Sequence, residues 1–204
     1  MDRLDGVLTT AAPLLKRVDQ VLSTTGAAAD HEVWPSLRRV GLLPWDAVQA
    51  VATLRPAALT EAAPELRSDA RSYAGIAESL IPPGTWSGDA AEAYDAIRRR
   101  TADHLSGGPD SLDERLEATA DLADALTDWM RRTRTELAVT LAEVLTSAEA
   151  LSLGAETPSD RLARLDAQAA ADVAARVLEQ VAESYDVAVE LITGSADLAS
   201  PLYS

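Results

Sequence analysis

Leu116, Ala123, Met130, Leu137, Val144 and Leu151 recur at strict seven-residue spacing, with Leu112, Leu126, Leu141 and Ala148 beside them. Seven residues are almost two turns of α-helix, so such a column stays on one face of a helix and cannot be the face of a strand, whose period is two. A second set lies upstream. Leu59, Leu66, Tyr73 and Leu80 keep the same spacing, and Ala63, Ala70 and Ala77 each follow four residues behind one of them. Paired columns of this kind predict the buried seam of an antiparallel helix pair. The chain supplies 40 alanines and no phenylalanine, strong helix formers whose small side chains suit close helix approach. No stretch alternates as a strand does. The fold class expected is all-α, an elongated antiparallel helical bundle.

Helix punctuation divides the chain. Leu4, Val7, Leu8, Ala11, Leu14, Leu15, Val18, Val21 and Leu22 step at three and four, an amphipathic helix with Pro13 as a candidate kink, fading at Ser23–Gly26. A short helix is expected between Pro35, near its first position, and Gly41, past its end; Pro44 starts another, with Trp45, Val48 and Ala52 on one side. Pro56 and Pro64 predict a break between Leu54 and Pro64. Ala90, Tyr94, Ile97 and Leu105 continue an apolar stripe until Ser106-Gly107-Gly108-Pro109 interrupts it, and Ser111-x-x-Glu114 reads as a capping box. The helix that follows should run from about Leu112 to Leu153, about 60 Å at about 1.5 Å per residue, closed by Gly154. Thr157-Pro158-Ser159-Asp160 opens a last helix, with Leu162, Leu165, Ala169, Val173, Val177, Val181, Ala188 and Leu191 on its apolar face. Three segments result: 1–58, an N-terminal helical layer; 59–153, a helical hairpin with a long second arm; and 154–204, a C-terminal helix and tail. They are expected to pack as one domain.

Composition excludes several functions. Net charge is −15, so nucleic acid is not an expected partner, because phosphate binding needs a basic face. There is no cysteine to form a disulfide, a thiolate metal site or a nucleophile. His31 and His104 are isolated, with neither a Glu three residues before nor a second His within a turn. Phosphate loops, dinucleotide fingerprints and nucleophile elbows are missing. The expectation is a non-enzyme with no metal or cofactor. No run of residues is long and apolar enough for a membrane span, and Met1-Asp2-Arg3-Leu4-Asp5 does not read as a Sec signal peptide. Seventeen arginines against a single lysine (Lys16), with abundant alanine, suggest a GC-rich genome such as an actinobacterium.

Between the two helical columns sits Pro82-Pro83-Gly84-Thr85-Trp86-Ser87-Gly88. The prolines should stop the incoming helix near Ile81. Ser87 or Thr85 is placed to cap the outgoing one, Asp89 puts a negative charge in its first turn, and Gly88 permits a positive φ or a close approach beneath the indole. The Trp86 ring at such a corner is expected to cover the ends of both helices. Trp34, Trp45 and Trp129 are expected in the core or over helix ends. Arg98-Arg99-Arg100 and Arg131-Arg132-Arg134 are the two basic clusters. They serve either as ion-pair partners of neighbouring helix acids or as a docking patch for an acidic partner, such as another copy of the chain.

Trp86 and Gly88, the small acidic stretch Asp89-Ala90-Ala91-Glu92-Ala93 and Tyr94 resemble the Trp-x-Gly (WXG) helical-hairpin family exported by type VII (ESX) secretion systems. The resemblance covers Leu59 to about Leu153 and includes the Leu116…Leu126…Trp129 pattern. It implies a secreted or secretion-associated helical protein acting by protein–protein interaction, with Trp86 and Gly88 as the recognition motif. The implied partners are a small WXG- or PE-like hairpin protein or a second copy, and a secretion ATPase. Export would proceed without a Sec signal peptide. The family's second half-signal, Tyr-x-x-x-Asp/Glu, has no counterpart: Ala77, Arg98 and Val189 stand four residues after Tyr73, Tyr94 and Tyr185, and Tyr203 is too near the end. A partner would have to bring it. The alternatives are a cytoplasmic chaperone or adaptor for a secreted partner, and the leader module of a polymorphic toxin.

Overall fold

The computed structural model describes residues 2–154 and 160–195. Among them there are eight α-helices and no strand: α1 Arg3–Thr24, α2 Val33–Val40, α3 Pro44–Ala52, α4 Ala62–Ser79, α5 Asp89–Leu105, α6 Leu112–Leu145, α7 Ala148–Leu153 and α8 Asp160–Gly194, with one 3-10 turn at Pro56–Ala58. The all-helical reading holds. The helix start expected at Thr157-Pro158-Ser159 and the side chain of Leu162 lie outside the described residues, as does Tyr203.

Local chemistry explains most boundaries. Asp2 and Asp5 form a reciprocal capping box at the start of α1, each side chain accepting the other's backbone N–H. Pro13 stands on the exposed side and α1 continues through it. Gly41 closes α2 in the left-handed conformation, its amide donating to the Leu37 carbonyl. Pro44 occupies the first position of α3, where its missing N–H costs nothing.

The long helix expected up to Leu153 stops at Leu145 instead. Ser147 turns extended, accepts the Ala150 amide on its side chain and starts α7. An N-cap serine here competes with helix continuation, a local signal that the seven-residue column masks. The column is also thrown out of register by the break: Leu137 and Val144 are buried, whereas Leu151 is exposed.

The chain folds into two compact units. The first comprises the chain up to Arg55 and Trp129–Val189; the second comprises Pro56–Asp128 and the chain from Glu190 on. In the first unit, α1 packs against α3 and α7, and α6 and α8 complete a core of large aliphatic side chains. Leu4, Leu15, Val18, Val33, Val48, Val51, Leu137, Leu141, Val173, Val177 and Leu178 are all sealed from solvent. The expected α3 face, Trp45, Val48 and Ala52, lies against this core, Val48 fully buried and the other two partly so, and Ala47 and Val51 are buried beside it. Trp129 is buried, its indole N–H donating to the Ser184 carbonyl at 2.8 Å. Trp34 lies at the edge, donating to the Ala28 carbonyl at 2.7 Å.

Arg134 is the polar centre of the first unit. Its buried guanidinium pairs with Asp2 and Asp5 at the start of α1 and donates to the Ala52 carbonyl at 2.7 Å, with the Val51 and Leu54 carbonyls at 3.4 and 3.3 Å. One side chain thus satisfies the orphan carbonyls ending α3 and the acids of the α1 capping box. The Arg134 hydrogen bond holds the Asp2 carboxyl below the usual carboxylate range.

The second unit is built differently. Its buried apolar residues are Ala63, Ala70, Ala91, Ala120 and Ala123. Ala63, Ala120 and Ala123 pack together, joined by the partly buried Ala62 and Leu66. Alanine at these positions lets α4 and α6 approach closely, and Arg67 clamps the approach, pairing with Asp121 at 2.6 Å, Asp124 at 2.8 Å and Glu117 at 3.5 Å. The alanine column of α4 is therefore its inner seam, and Leu59, Leu66, Tyr73 and Leu80 flank it, half-buried.

Candidate functional site

The corner at Trp86 takes its shape from its punctuation. Helix α4 stops at Ser79 and the chain runs through Pro82-Pro83 without helical bonding. The Trp86 amide then donates to the Pro83 carbonyl, a tight turn that lifts the indole out of the chain path. Gly88 is the N-cap of α5 with φ +98° and ψ 176°, a conformation essentially confined to glycine. No side chain caps α5. Ser87 and Thr85, the expected caps, do not contact its amides, because the positive φ at Gly88 turns the preceding residues away; the first-turn acids Asp89 and Glu92 complement the helix dipole instead.

Trp86 does not bury itself over two helix ends. It is 52% exposed and leans on Tyr94, with ring centroids 5.8 Å apart and planes inclined at 46°. Such tilted pairs are favourable beyond the area they cover. Tyr94 in turn donates its hydroxyl proton to the Ile81 carbonyl at 2.8 Å, tying α5 to the end of α4, against which it packs. The two aromatic residues of the motif therefore support each other at the surface.

Of the stripe expected along α5, Leu105 turns inward and the other three members do not. Ala90, Tyr94 and Ile97 are exposed, Ile97 by 62%; the inward line is Ala91, Asp95, Arg98, Ala102 and Leu105, one position on from those three. Asp95 and Arg98 occupy that line as a pair, 2.8 Å apart, with Arg99 bonded to the other Asp95 oxygen. Hydrogen bonds from Arg98 and then Arg99 hold the Asp95 carboxyl below its ordinary range. A mutually satisfied ion pair can occupy a half-buried position that period counting assigns to an apolar residue. Of the arginine run, Arg98 and Arg99 are thus engaged within their own helix, and Arg100 points to solvent.

Ile76, Ile81, Trp86, Tyr94 and Ile97 make an exposed set of large apolar side chains on α4, α5 and their loop, Ile81 being 75% exposed. Beside the indole is a cavity of about 360 Å³, lined by Pro83, Trp86, Gly88, Glu92, Asp95 and Arg99 among others. Trp86 belongs both to the exposed apolar set and to the cavity, and an exposed aromatic beside a concavity is the material of a protein-docking site.

A polar cluster in the first unit carries no sequence signature. His31 Nδ1 accepts the Val33 amide at 3.0 Å, which leaves the ring proton on Nε2 to be donated to Asp172 at 3.0 Å. Gln168 donates to the same Asp172 oxygen. The adjoining cavity, about 460 Å³, is lined by Asp30, Glu32, Arg176 and Glu179 as well. Both ring nitrogens are committed, so His31 fastens the segment before α2 to α8 rather than standing as a free base. Residues 141 positions apart meet here, and no local pattern could have paired them. His104 is exposed on α5. Among the described residues, no group of three or more His, Asp or Glu side chains is arranged to hold a metal ion, and no helix is long and apolar enough to cross a membrane.

No family model, curated protein or solved structure matches this chain.

Proposed function

We propose that this protein is a helical docking protein of a type VII (ESX) secretion pathway, working by surface recognition rather than by chemistry. Its α4–α5 pair is the Trp-x-Gly hairpin, and the Trp86–Gly88 corner, flanked by Asp89 and Tyr94, is the recognition element. The observation that carries this reading is the half-exposed indole of Trp86, raised at a turn whose glycine conformation few other residues could adopt. A tryptophan kept in water costs stability that burial would have supplied, so its place at a corner is better explained by a partner than by folding. The partner is a small helical-hairpin protein, a second copy of the chain or a secretion ATPase, and export proceeds without a Sec signal peptide.

The absence of Tyr-x-x-x-Asp/Glu favours a second reading, a cytoplasmic adaptor that holds a secreted partner and stays behind. One experiment separates the two. Wild type, Trp86→Ala and Gly88→Ala are expressed in the native host, with culture-supernatant levels and thermal stability measured side by side. Secretion of wild type, with both variants folded but missing from the supernatant, supports the secretion reading. Wild type confined to the cytoplasm replaces it with the adaptor. Outright unfolding of Trp86→Ala makes the indole a folding element and removes the case for recognition.

A further inference from the structure

We propose that the cavity beside Trp86 is a receptor for a cationic side chain, arginine above all, presented by the docking partner. This deepens the reading of the corner as a recognition element and rests on it.

The cavity joins three features. Its wall is an exposed indole, the aromatic ring with the strongest attraction for a cation. Glu92 lines it without an ion-pair partner among the described residues, and although Arg99 lines it too, that cation is paired with Asp95 on the same lining, so the carboxylates of Glu92 and Asp95 against one guanidinium leave the lining net negative. Pro83, Ala91 and Ala96 supply an apolar lining against which the methylene stem of a long basic side chain can lie. Aromatic face, free carboxylate and apolar trough match the head, charge and stem of arginine.

Two other occupants fit less well. A purely aliphatic side chain would fill the trough and leave Glu92 unpaired. An anion would be drawn to the uncapped amides starting α5 and to Arg99, but Arg99 is already paired with Asp95, and Asp89 and Glu92 in that first turn repel it. The wider charge agrees: between Pro56 and Asp128 acidic residues outnumber arginines, so the field around the cavity attracts a basic partner.

The test uses the full chain, labelled with nitrogen-15 and titrated with blocked tripeptides Ala-Arg-Ala, Ala-Lys-Ala, Ala-norleucine-Ala and Ala-Glu-Ala. The Trp86 indole N–H and the Glu92 amide are followed. Saturable shifts are expected with the arginine peptide, weaker ones with lysine, and binding about fivefold or more weaker with norleucine. Glu92→Gln should weaken the arginine peptide by about fivefold, and Trp86→Leu should remove its effect, with helical content unchanged in both. Equal response to arginine and norleucine, a preference for the glutamate peptide, or no saturable shift with any of them overturns the proposal. Those failures leave the secretion experiment untouched. Conversely, arginine binding by a protein that never leaves the cell sustains this site and sinks the export reading.

Discussion

Leu15, Leu137, Leu141, Val173 and Val177 are sealed from solvent in the first unit, whereas the second buries Ala63, Ala70, Ala91, Ala120 and Ala123 and leaves Ile76, Ile81, Trp86 and Ile97 outside. The same helical vocabulary is put to opposite uses. A buried leucine or valine contributes roughly 1.5–3 kcal/mol, and an alanine methyl only a fraction of that. The second unit adds ion pairs around Arg67 and Asp95, but pairs within reach of solvent contribute little to stability. Its large apolar groups are half-buried, as Leu66 and Tyr73 are, or gathered on the surface around Trp86, and although the first unit also exposes Leu151 and Leu165, only the first seals large aliphatic side chains away from water. The difference teaches that one unit is held by a deep aliphatic core and the other by a shallow alanine seam that leaves an apolar face open.

The sharpest way to break that contrast is to cut into both cores. Leu141→Ala should cost about 2–5 kcal/mol in urea denaturation, because it leaves a cavity among α6 and α8 side chains that cannot fully collapse. Ala120→Gly in the second unit should cost about 1 kcal/mol, the helix-propensity difference alone. Equal losses would erase the distinction.

Arg134→Leu should cost about 2–3 kcal/mol, since the Ala52 and Leu54 carbonyls lose their donor and Asp2 and Asp5 their counter-charge. Arg67→Leu, which removes a clamp open to solvent, should cost less than Arg134→Leu by the same measurement. A larger loss at Arg67 would reverse the argument about where polar groups matter.

Next in size is a pH effect confined to the first unit. Asp19 accepts the Trp45 amide at 3.3 Å, supplying from α1 the cap that α3 lacks; burial pushes its carboxyl up to about 6, with Asp46 adding to the rise. The folded state thus holds the proton more tightly than the unfolded chain, whose carboxyl has the ordinary value of 3.8. The stability Asp19 contributes is fully present below that value and is lost as pH rises through about 6. Relative to Asp19→Asn, which keeps an oxygen acceptor for Trp45, wild type should therefore lose stability between pH 4 and 7 in thermal melts. A flat difference would place the carboxyl in water.

Smallest of all should be the cost of altering the presented face. Trp86→Ala and Ile97→Asp should each change stability by under about 1 kcal/mol, as substitutions at exposed positions usually do. A loss of several kcal/mol in either would mean that the second unit needs these side chains for folding, and the comparison would fall.

The sequence by itself settled the helical class, most helix ends and the Trp86 turn, because these depend on neighbours a few residues away. Heptad spacing permits only a helix, the proline pair ends α4, and Gly88 allows the φ that starts α5. It also marked α1 and the Val173–Val181 face of α8 correctly. It did not settle which residues face inward on α5, where an Asp95–Arg98 pair takes positions that period counting reserves for apolar groups. Nor did it settle the break at Ser147, where one capping hydrogen bond outweighs a long repeat. The meetings of His31 with Asp172, of Asp19 with Trp45, and of Arg134 with both Asp2 and the end of α3 belong to the tertiary structure alone. Each joins groups far apart in the chain, and their pairing is selected only when burial makes an unsatisfied polar group costly, a condition that exists once the helices have packed.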